Sequence, residues 1–387
     1  MSKRTSPPHI GGDPAAKRPA KQEQQHLYLV LDDWKNGYTV HKVDVDAFDS
    51  DAASHEDMQP KPFAEPPVAR FGAVHGNTHA FVAHGTKIVA MKPPDVCPAL
   101  PAFDTATSEA LSLPWPEFRM NYGRPIIISI AGKIFLFIND THYIGDPPPP
   151  PPPPRIWRGG GHLYEPPVPQ EPWVWTAVGS PQARLPFTAS SGLCRAVHPD
   201  GRTLIVSAMK WGQFQSDTFS FDTERLEWTC HGDWLLPFSG PAYYLAELDG
   251  FVGLCRHKGG TGHLCTSDVV PVGAGPTTLP RWRLLGEERL FDRESPRHLG
   301  ARLVHMGGTR FCVVEHMWHE DDDEIRQKWE LTGLYVGPPR VVVRMTTFGV
   351  ECGEDGELRL ESRRARSCKV FERPHGFPDE HPVAFWI

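Results

Sequence analysis

A β-rich unit that recurs along the chain is the feature that most restricts what this sequence can fold into. Each unit opens with a glycine-led hairpin and continues as a run of β-forming residues, and a tryptophan falls near its end. The hairpin glycines are Gly85, Gly132, Gly201, Gly250 and Gly307, and the tryptophans between them are Trp115, Trp175, Trp228 and Trp282. A spacing of roughly 40–50 residues is typical of four-stranded propeller blades. The repeat therefore predicts an all-β propeller, with an ordinary β-sandwich as the alternative.

Two of the units share a tripeptide that fits this interpretation. Phe103-Asp104-Thr105 recurs as Phe221-Asp222-Thr223. Asp and Thr side chains accept and donate hydrogen bonds to nearby backbone groups in turns, so we expect them to fix the turn into the fourth strand. The phenylalanines are expected to pack between blades, as are the tryptophans, because a blade cannot bury both of its faces alone.

The two ends of the chain each carry an incomplete set of strands. Residues 26–46 predict a hairpin, residues 67–71 (PVARF) a further strand, and the chain ends in the apolar sequence PVAFWI. An unpaired apolar strand would be an exposed edge, so we expect the last strand to lie beside the N-terminal hairpin. The prediction is a six-bladed β-propeller over residues 26–387, closed by strands from both ends. Six blades and seven both remain open.

Residues 1–25 predict a disordered basic tail, because they are rich in Pro, Lys, Arg and Gln. Two basic clusters resemble a bipartite nuclear-import signal, and a solvated basic tail is the alternative. The clusters consist of Lys3, Arg4, Lys17, Arg18 and Lys21. The sequence shows no apolar leader and no apolar run of about 20 residues. We therefore expect a location in the nucleus or cytoplasm and no membrane partner, and a formal charge of −7 argues against nucleic acid as a partner.

Eight consecutive prolines, Pro147–Pro154, interrupt the second blade within an insertion at about residues 145–172. Such a run forms a stiff polyproline II rod that cannot join a sheet. Rods of this kind bind aromatic grooves of partner proteins, which makes Pro147, Pro150, Pro154 and Trp157 candidate partner-binding residues. A loop of variable length without a partner is the alternative.

The strongest candidate for chemistry is a hairpin with Cys255, His257, His263 and Cys265. We expect Cys255 to face Cys265 and His257 to face His263, which would place four zinc-type ligands on one side. Alternate strand residues lie about 7 Å apart, however, so the four would form a row and not a tetrahedron. The acidic loop at residues 318–330 is expected to be solvated. We predict no metal site, no cofactor and no catalytic residue, and we expect the eight cysteines to be free thiols.

Several short segments of the sequence resemble those of a known protein family. These are YLVLDDW, AVHPDGRT, TFSFDTE followed by Trp228, ELDGFVGLC, HLGARLV, RMTTFGV and PVAFW. Over about residues 26–387 they resemble the grass-expanded plant family known as domain of unknown function 1668. The blade rhythm is similar to that of kelch propellers, although the paired glycines of kelch strands appear only at Gly307-Gly308. The resemblance implies a plant protein with a kelch-like fold. A preceding F-box is disfavoured, because residues 1–25 are too short and too rich in proline.

Two functions follow as expectations. The first is a non-catalytic protein-interaction module, because the repeat fold carries variable loops and no recognisable catalytic set. The alternative is a small-molecule or carbohydrate site in the propeller channel, which could belong to a hydrolase or lyase. Fold does not decide between them, since propellers host many functions.

Overall fold

The computed structural model describes residues 25–33, 37–49, 60–72, 80–91, 99–114, 126–137, 160–164, 174–178, 185–210, 216–273, 276–332, 341–353, 358–370 and 382–387. Within these ranges the protein is built from β-strands, with a single α-helix, α1 (Asp323–Thr332). The strands are β1 (Leu27–Asp33), β2 (Gly37–Val43), β3 (Lys61–Pro62), β4 (Ala69–Phe71), β5 (Ala80–His84), β6 (Lys87–Met91), β7 (Leu100–Asp104), β8 (Glu109–Leu113), β9 (Ile126–Ile130), β10 (Lys133–Phe137), β11 (Gly160–Tyr164), β12 (Val174–Val178), β13 (Phe187–Val197), β14 (Thr203–Lys210), β15 (Ser216–Asp222), β16 (Glu227–Gly232), β17 (Phe238–Leu245), β18 (Gly250–Cys255), β19 (Leu264–Asp268), β20 (Trp282–Leu285), β21 (His298–His305), β22 (Arg310–Trp318), β23 (Val341–Cys352), β24 (Leu358–Lys369) and β25 (Val383–Trp386).

Consecutive strands pair in antiparallel groups of four. These groups are β5–β8, β9–β12, β13–β16, β17–β20 and β21–β24. β13 and β17 also pair with each other in parallel, which joins two groups into one eight-stranded sheet. The short strand β3 extends the last group by pairing in parallel with β24. This succession of up-and-down groups agrees with the four-stranded units expected from the sequence repeat.

The remaining sheet joins the two ends of the chain in the order β25-β1-β2-β4. β25 runs antiparallel to β1, with Leu27 opposite Trp386 and Val30 opposite Val383. Beyond the strands, His26 and Ile387 exchange backbone hydrogen bonds of 2.7 and 3.1 Å. The prediction that the last strand lies beside the N-terminal hairpin is confirmed.

The repeated tripeptides form the same turn in both places. The Asp104 carboxylate accepts from the backbone N–H of Ala106 at 3.0 Å, and the Asp222 carboxylate accepts from that of Glu224 at 2.8 Å. The Thr105 hydroxyl donates to the carbonyl of Thr86 at 2.8 Å, and the Thr223 hydroxyl donates to that of Arg202 at 2.7 Å. Both carbonyls lie in the turn between the first and second strands of their group. The expected structural role of these residues is confirmed, because the local hydrogen bonds close the turn between the third and fourth strands.

The hydrophobic core is divided into clusters that lie between neighbouring sheets. Between β9–β12 and β13–β16, Phe221 packs at 5.5 Å from Phe135, 5.2 Å from Phe137 and 4.9 Å from Trp228. Further clusters join β5–β8 to β9–β12, β13–β16 to β17–β20, and β17–β20 to β21–β24. The terminal sheet shares one cluster with β21–β24 and another with β5–β8. Apolar residues of adjacent sheets thus cover each other's faces.

The first strands of successive groups lie side by side. β5 contacts β9, β9 contacts β13, β13 pairs with β17, β17 contacts β21, and β21 contacts β25. The strand β25 therefore holds the same position in the terminal sheet as the first strands hold in the others. We call β5, β9, β13, β17, β21 and β25 the inner strands.

Two segments differ from the sequence-based expectation. Gly160–Tyr164, which the sequence placed inside the insertion, pairs with β10 as strand β11. The acidic segment expected to be a solvated loop contains α1, whose strong helix formers outweigh its acidic character. Within the described ranges, no helix is long and apolar enough to cross a membrane.

We predict that removing residues 382–387 destabilises the whole protein. The truncation takes Ala384 out of one inter-sheet cluster and Phe385 out of another, and it leaves β1 with an open edge. The free energy of unfolding should fall by about 3 kcal/mol or more, the size of a buried phenylalanine loss. Urea denaturation of the full and truncated chains measures this. Val383→Ile, which retains the strand, should change it by less than about 1.5 kcal/mol, and equal midpoints for the full and truncated chains would contradict the prediction.

Candidate functional site

The residues that the sequence assigned to partner binding and nuclear import lie outside the described ranges. This applies to Pro147, Pro150, Pro154 and Trp157 of the proline insertion. It applies equally to Lys3, Arg4, Lys17, Arg18 and Lys21 of the basic tail. Their roles stay predictions, and the site is built here from the residues that the structure describes.

The cysteine–histidine hairpin has a different register from the predicted one. Cys265 lies opposite Gly253, and the backbone N–H of Cys255 donates to the carbonyl of His263 at 2.9 Å. His257 does not face His263, because its ring stacks on Trp282 at 4.3 Å between centroids. The predicted register of the hairpin was therefore wrong by two residues. Lys258–Gly260 at the tip form a 3₁₀ turn, whereas the prediction assumed that both strands continue to the tip.

Cys255 and Cys265 interact through their side chains although they are not directly opposite. A hydrogen bond from Cys265 lowers the pKa of the Cys255 thiol to about 7, against the opposing effect of burial. The same hydrogen bond, together with burial, raises the pKa of Cys265. Burial raises the pKa of nearby Cys194 to about 12. All six cysteines for which the structure describes a side chain are free thiols, and among the described residues no group of three His, Cys, Asp or Glu is placed to hold a metal ion.

Residues 319–332, which we call the insertion segment, leave the sheet between β22 and β23. Trp318 and Val341 pair directly across the two strands, so the segment is not needed to complete the sheet. It is nevertheless anchored, because Asp322 and Arg326 are buried. Arg297, from outside the segment, donates to Asp323 at 3.2 Å. One face of the segment is thus fixed to the protein.

The opposite face of the insertion segment is exposed to solvent. The Leu331 side chain at the end of α1 is 85% exposed, far more than any other large apolar residue of the described ranges. Exposed acidic side chains accompany it, from Glu320, Asp321, Glu324 and Glu330. A single exposed leucine is common on protein surfaces. The insertion segment is a candidate surface because it also carries exposed carboxylates and because its other side is anchored.

A second notable group lies on four consecutive inner strands. Arg195 is on β13, Tyr243 on β17, Arg302 on β21 and Phe385 on β25. The guanidinium carbon of Arg302 lies 5.8 Å from the centroid of the Phe385 ring, and the Tyr243 hydroxyl donates to the carbonyl of Leu303 at 3.0 Å. Both arginine side chains are half-buried. Within the described ranges, the buried Nε–H of Arg302 has no hydrogen-bond partner.

The two arginines repel each other electrostatically. Burial, followed by the charge of Arg302, lowers the pKa of Arg195 to about 10. Burial likewise lowers the pKa of Arg302. Among the described residues, neither guanidinium forms an ion pair with a carboxylate. The pair therefore concentrates positive charge at the inner strands.

Sequence reasoning did not select this group, although a signal was present. Arg195 interrupts the apolar sequence LCRAV of one first strand, and Arg302 interrupts ARLV of another. An arginine inside an apolar strand is expensive to bury and therefore indicates a function or a special partner. What the sequence does not contain is the information that two such arginines belong to the inner strands on either side of β17.

Comparison of the chain with known proteins identifies one family. A family model described as a protein of unknown function, DUF1668, matches residues 24–369. No curated protein matches the chain.

Three solved structures illustrate the structural similarities. TolB from Acinetobacter baumannii is 11% identical at a TM-score of 0.42, with 94% of this chain and 66% of that chain covered. A putative 6-phosphogluconolactonase from Bacteroides fragilis is 10% identical at 0.41, with 91% and 98% covered. A chain of a nidogen/laminin complex is 8% identical at 0.38, with 83% and 89% covered. At such low scores none of these similarities bears on function.

We predict that Cys265→Ala raises the pKa of Cys255 from about 7 toward its ordinary value, because the mutation removes the hydrogen bond that stabilises the thiolate. The pH dependence of iodoacetamide alkylation at Cys255, followed by mass spectrometry, measures the midpoint. Cys265→Ser keeps a donor and should retain part of the lowering. An unchanged midpoint in Cys265→Ala would show that the hydrogen bond does not control Cys255.

Proposed function

We propose that this chain, which belongs to the DUF1668 family of proteins of unknown function, is a kelch-like, six-bladed β-propeller and acts as a non-catalytic protein-interaction module. In this proposal the β25-β1-β2-β4 sheet is the sixth blade and closes the ring. Plant origin and the kelch-like character are supported by the sequence resemblance alone.

The clusters between sheets support the closed ring. Each four-stranded group contributes apolar residues to two clusters, one on either side, and the terminal sheet does the same. Following the clusters from β5–β8 through the successive groups leads to β21–β24, then to the terminal sheet, and back to β5–β8. Such a cycle is expected of a ring of blades and not of two stacked sheets.

The observation that carries the proposed function is the anchored insertion segment. The insertion segment is not needed to complete the sheet between β22 and β23, yet it is anchored through the buried Asp322 and Arg326. A surface held in one conformation before binding loses less entropy when a partner docks. The exposed Leu331 and the surrounding carboxylates suit a partner protein with an apolar pocket in a basic surface.

We predict that Leu331→Ala and Glu324→Lys each reduce capture of the partner from plant tissue. An anchoring apolar side chain typically contributes more than 1 kcal/mol, so capture should weaken by about tenfold. Charge reversal at Glu324 replaces an attraction to a basic surface by a repulsion. Affinity capture with the full chain, followed by quantitative mass spectrometry, measures both effects.

The matched controls are exposed residues of the same types elsewhere, Leu279→Ala and Glu109→Lys, which should leave capture unchanged. Deletion of Pro147–Pro154 tests the alternative surface. A partner lost only with the prolines would move the site to the proline insertion. A complete lack of reproducible partners would refute the interaction module.

The second candidate function is a small-molecule or carbohydrate site at the inner strands. The observation that favours it is the arginine pair, since propellers enclose a central channel and pockets with few convergent polar groups bind ligands. Protein interaction and ligand binding use different surfaces in this chain, so each is tested separately.

For the location we propose the nucleus or cytoplasm, with Lys3, Arg4, Lys17, Arg18 and Lys21 acting in nuclear import. Deleting residues 1–25 from a fluorescent fusion should lower the ratio of nuclear to cytoplasmic signal several-fold. Replacing the five basic residues by Gln in the full chain should have the same effect. An unchanged ratio in both would contradict the import role.

A further inference from the structure

We propose that Arg195 and Arg302 form a binding site for the oxyanion group, a carboxylate or a phosphate, of a small organic ligand at the inner strands. The site lies on β13 and β21, which flank β17, and the ring of Phe385 on β25 forms part of its wall.

The charge of the two arginines is not balanced by their described neighbours. Tyr243 and Cys194 are the described groups near the pair that become negative on losing a proton. Burial raises the pKa of the Tyr243 phenol and raises that of the Cys194 thiol to about 12, so both are neutral at physiological pH. The positive charge of the pair is therefore not neutralised by the described residues. Placing a bound anion there would remove the repulsion between the arginines.

Among the residues that the structure describes, the buried Nε–H of Arg302 has no hydrogen-bond acceptor. An unsatisfied buried donor on a charged group is costly, and a ligand oxygen that accepts from this guanidinium would remove the cost. Guanidinium groups bind carboxylates and phosphates through two parallel N–H donors, which lysine cannot do. The donor set therefore matches a planar or tetrahedral oxyanion better than a neutral sugar.

Both arginine residues are partly exposed, and burial nevertheless lowers the pKa of each guanidinium, so the pair lies in a largely desolvated position. Charge-assisted hydrogen bonds are strongest in such partly desolvated positions. The Phe385 ring beside Arg302 offers an apolar contact, and the Tyr243 hydroxyl is held in place by Leu303. These features suit an organic anion with an apolar part better than a bare inorganic ion.

The oxyanion site does not require a protein partner. Its residues lie on the inner strands, whereas the proposed interaction surface lies on the insertion segment. The two proposals can therefore fail separately, because one is read by partner capture and the other by binding of a small anion.

Thermal unfolding of the full chain in sodium citrate, sodium phosphate and sodium chloride, at matched ionic strength, tests the site. A specific ligand raises the melting temperature with a saturable dependence on concentration. We expect this for citrate or phosphate relative to chloride, and the comparison between them identifies which oxyanion is preferred. Isothermal titration calorimetry with the same anions gives the dissociation constant.

Arg195→Gln and Arg302→Gln should each weaken binding by about tenfold or more, because each removes a charge-assisted hydrogen-bond donor. Arg283→Gln is the matched control, since this arginine is exposed on the outer strand β20 and should bind nothing relevant. If a glutamine variant does not fold, Arg→Lys at the same position retains the charge and should still bind more weakly.

Two results would overturn the site. The first is an equal melting temperature in all three salts, which would mean that no oxyanion binds. The second is an equal loss of binding in Arg283→Gln, which would mean that the effect is a general one of surface charge. A neutral disaccharide that raises the melting temperature of wild type and of Arg195→Gln alike would instead favour a carbohydrate site without the arginines.

Discussion

Packing between neighbouring four-stranded sheets is the interaction on which the rest of the structure depends. A single sheet of four short strands cannot exclude water from either face. Phe221 illustrates the solution, since it is fully buried and Phe135 and Phe137 of the adjacent sheet lie against it. Every sheet with two apolar faces needs two neighbours. The terminal sheet obeys the same rule, since it shares one apolar cluster with β21–β24 and another with β5–β8.

The elements that the sequence predicted well are those determined by local interactions. The turns at Asp104 and Asp222 depend on hydrogen bonds to residues two positions away, so the tripeptide itself contains the information. The hairpin tip after Cys255 was mispredicted, because its glycines allow a 3₁₀ turn as well as a tight hairpin and the choice is made by contacts with other segments. Gly262 shows this constraint, since an added Cβ would lie 2.0 Å from the carbonyl oxygen of Phe291.

The arginine site could not be predicted in the same way. That Arg195 and Arg302 are costly to bury follows from their places in apolar strands, but their proximity follows from the order in which the sheets are arranged. Which polar groups find a partner is likewise a property of the folded chain, since Glu315 on β22 and His298 on β21 lie 2.8 Å apart. Sequence periodicity shows which face of a strand a side chain occupies, but only the tertiary structure shows which side chains of other strands lie against it.

The position of the arginines connects ligand binding to the joining of the chain ends. Arg302 lies over Phe385, and Phe385 belongs to the strand that completes the terminal sheet. The charge of Arg302, which the charge of Arg195 opposes, therefore lies beside the strand that pairs with β1. An anion held between the arginines would turn that repulsion into attraction and would stabilise the strand by mass action. Anion binding and pairing of the terminal strand would then strengthen each other, because Arg302 belongs to the site and also contacts Phe385 of that strand.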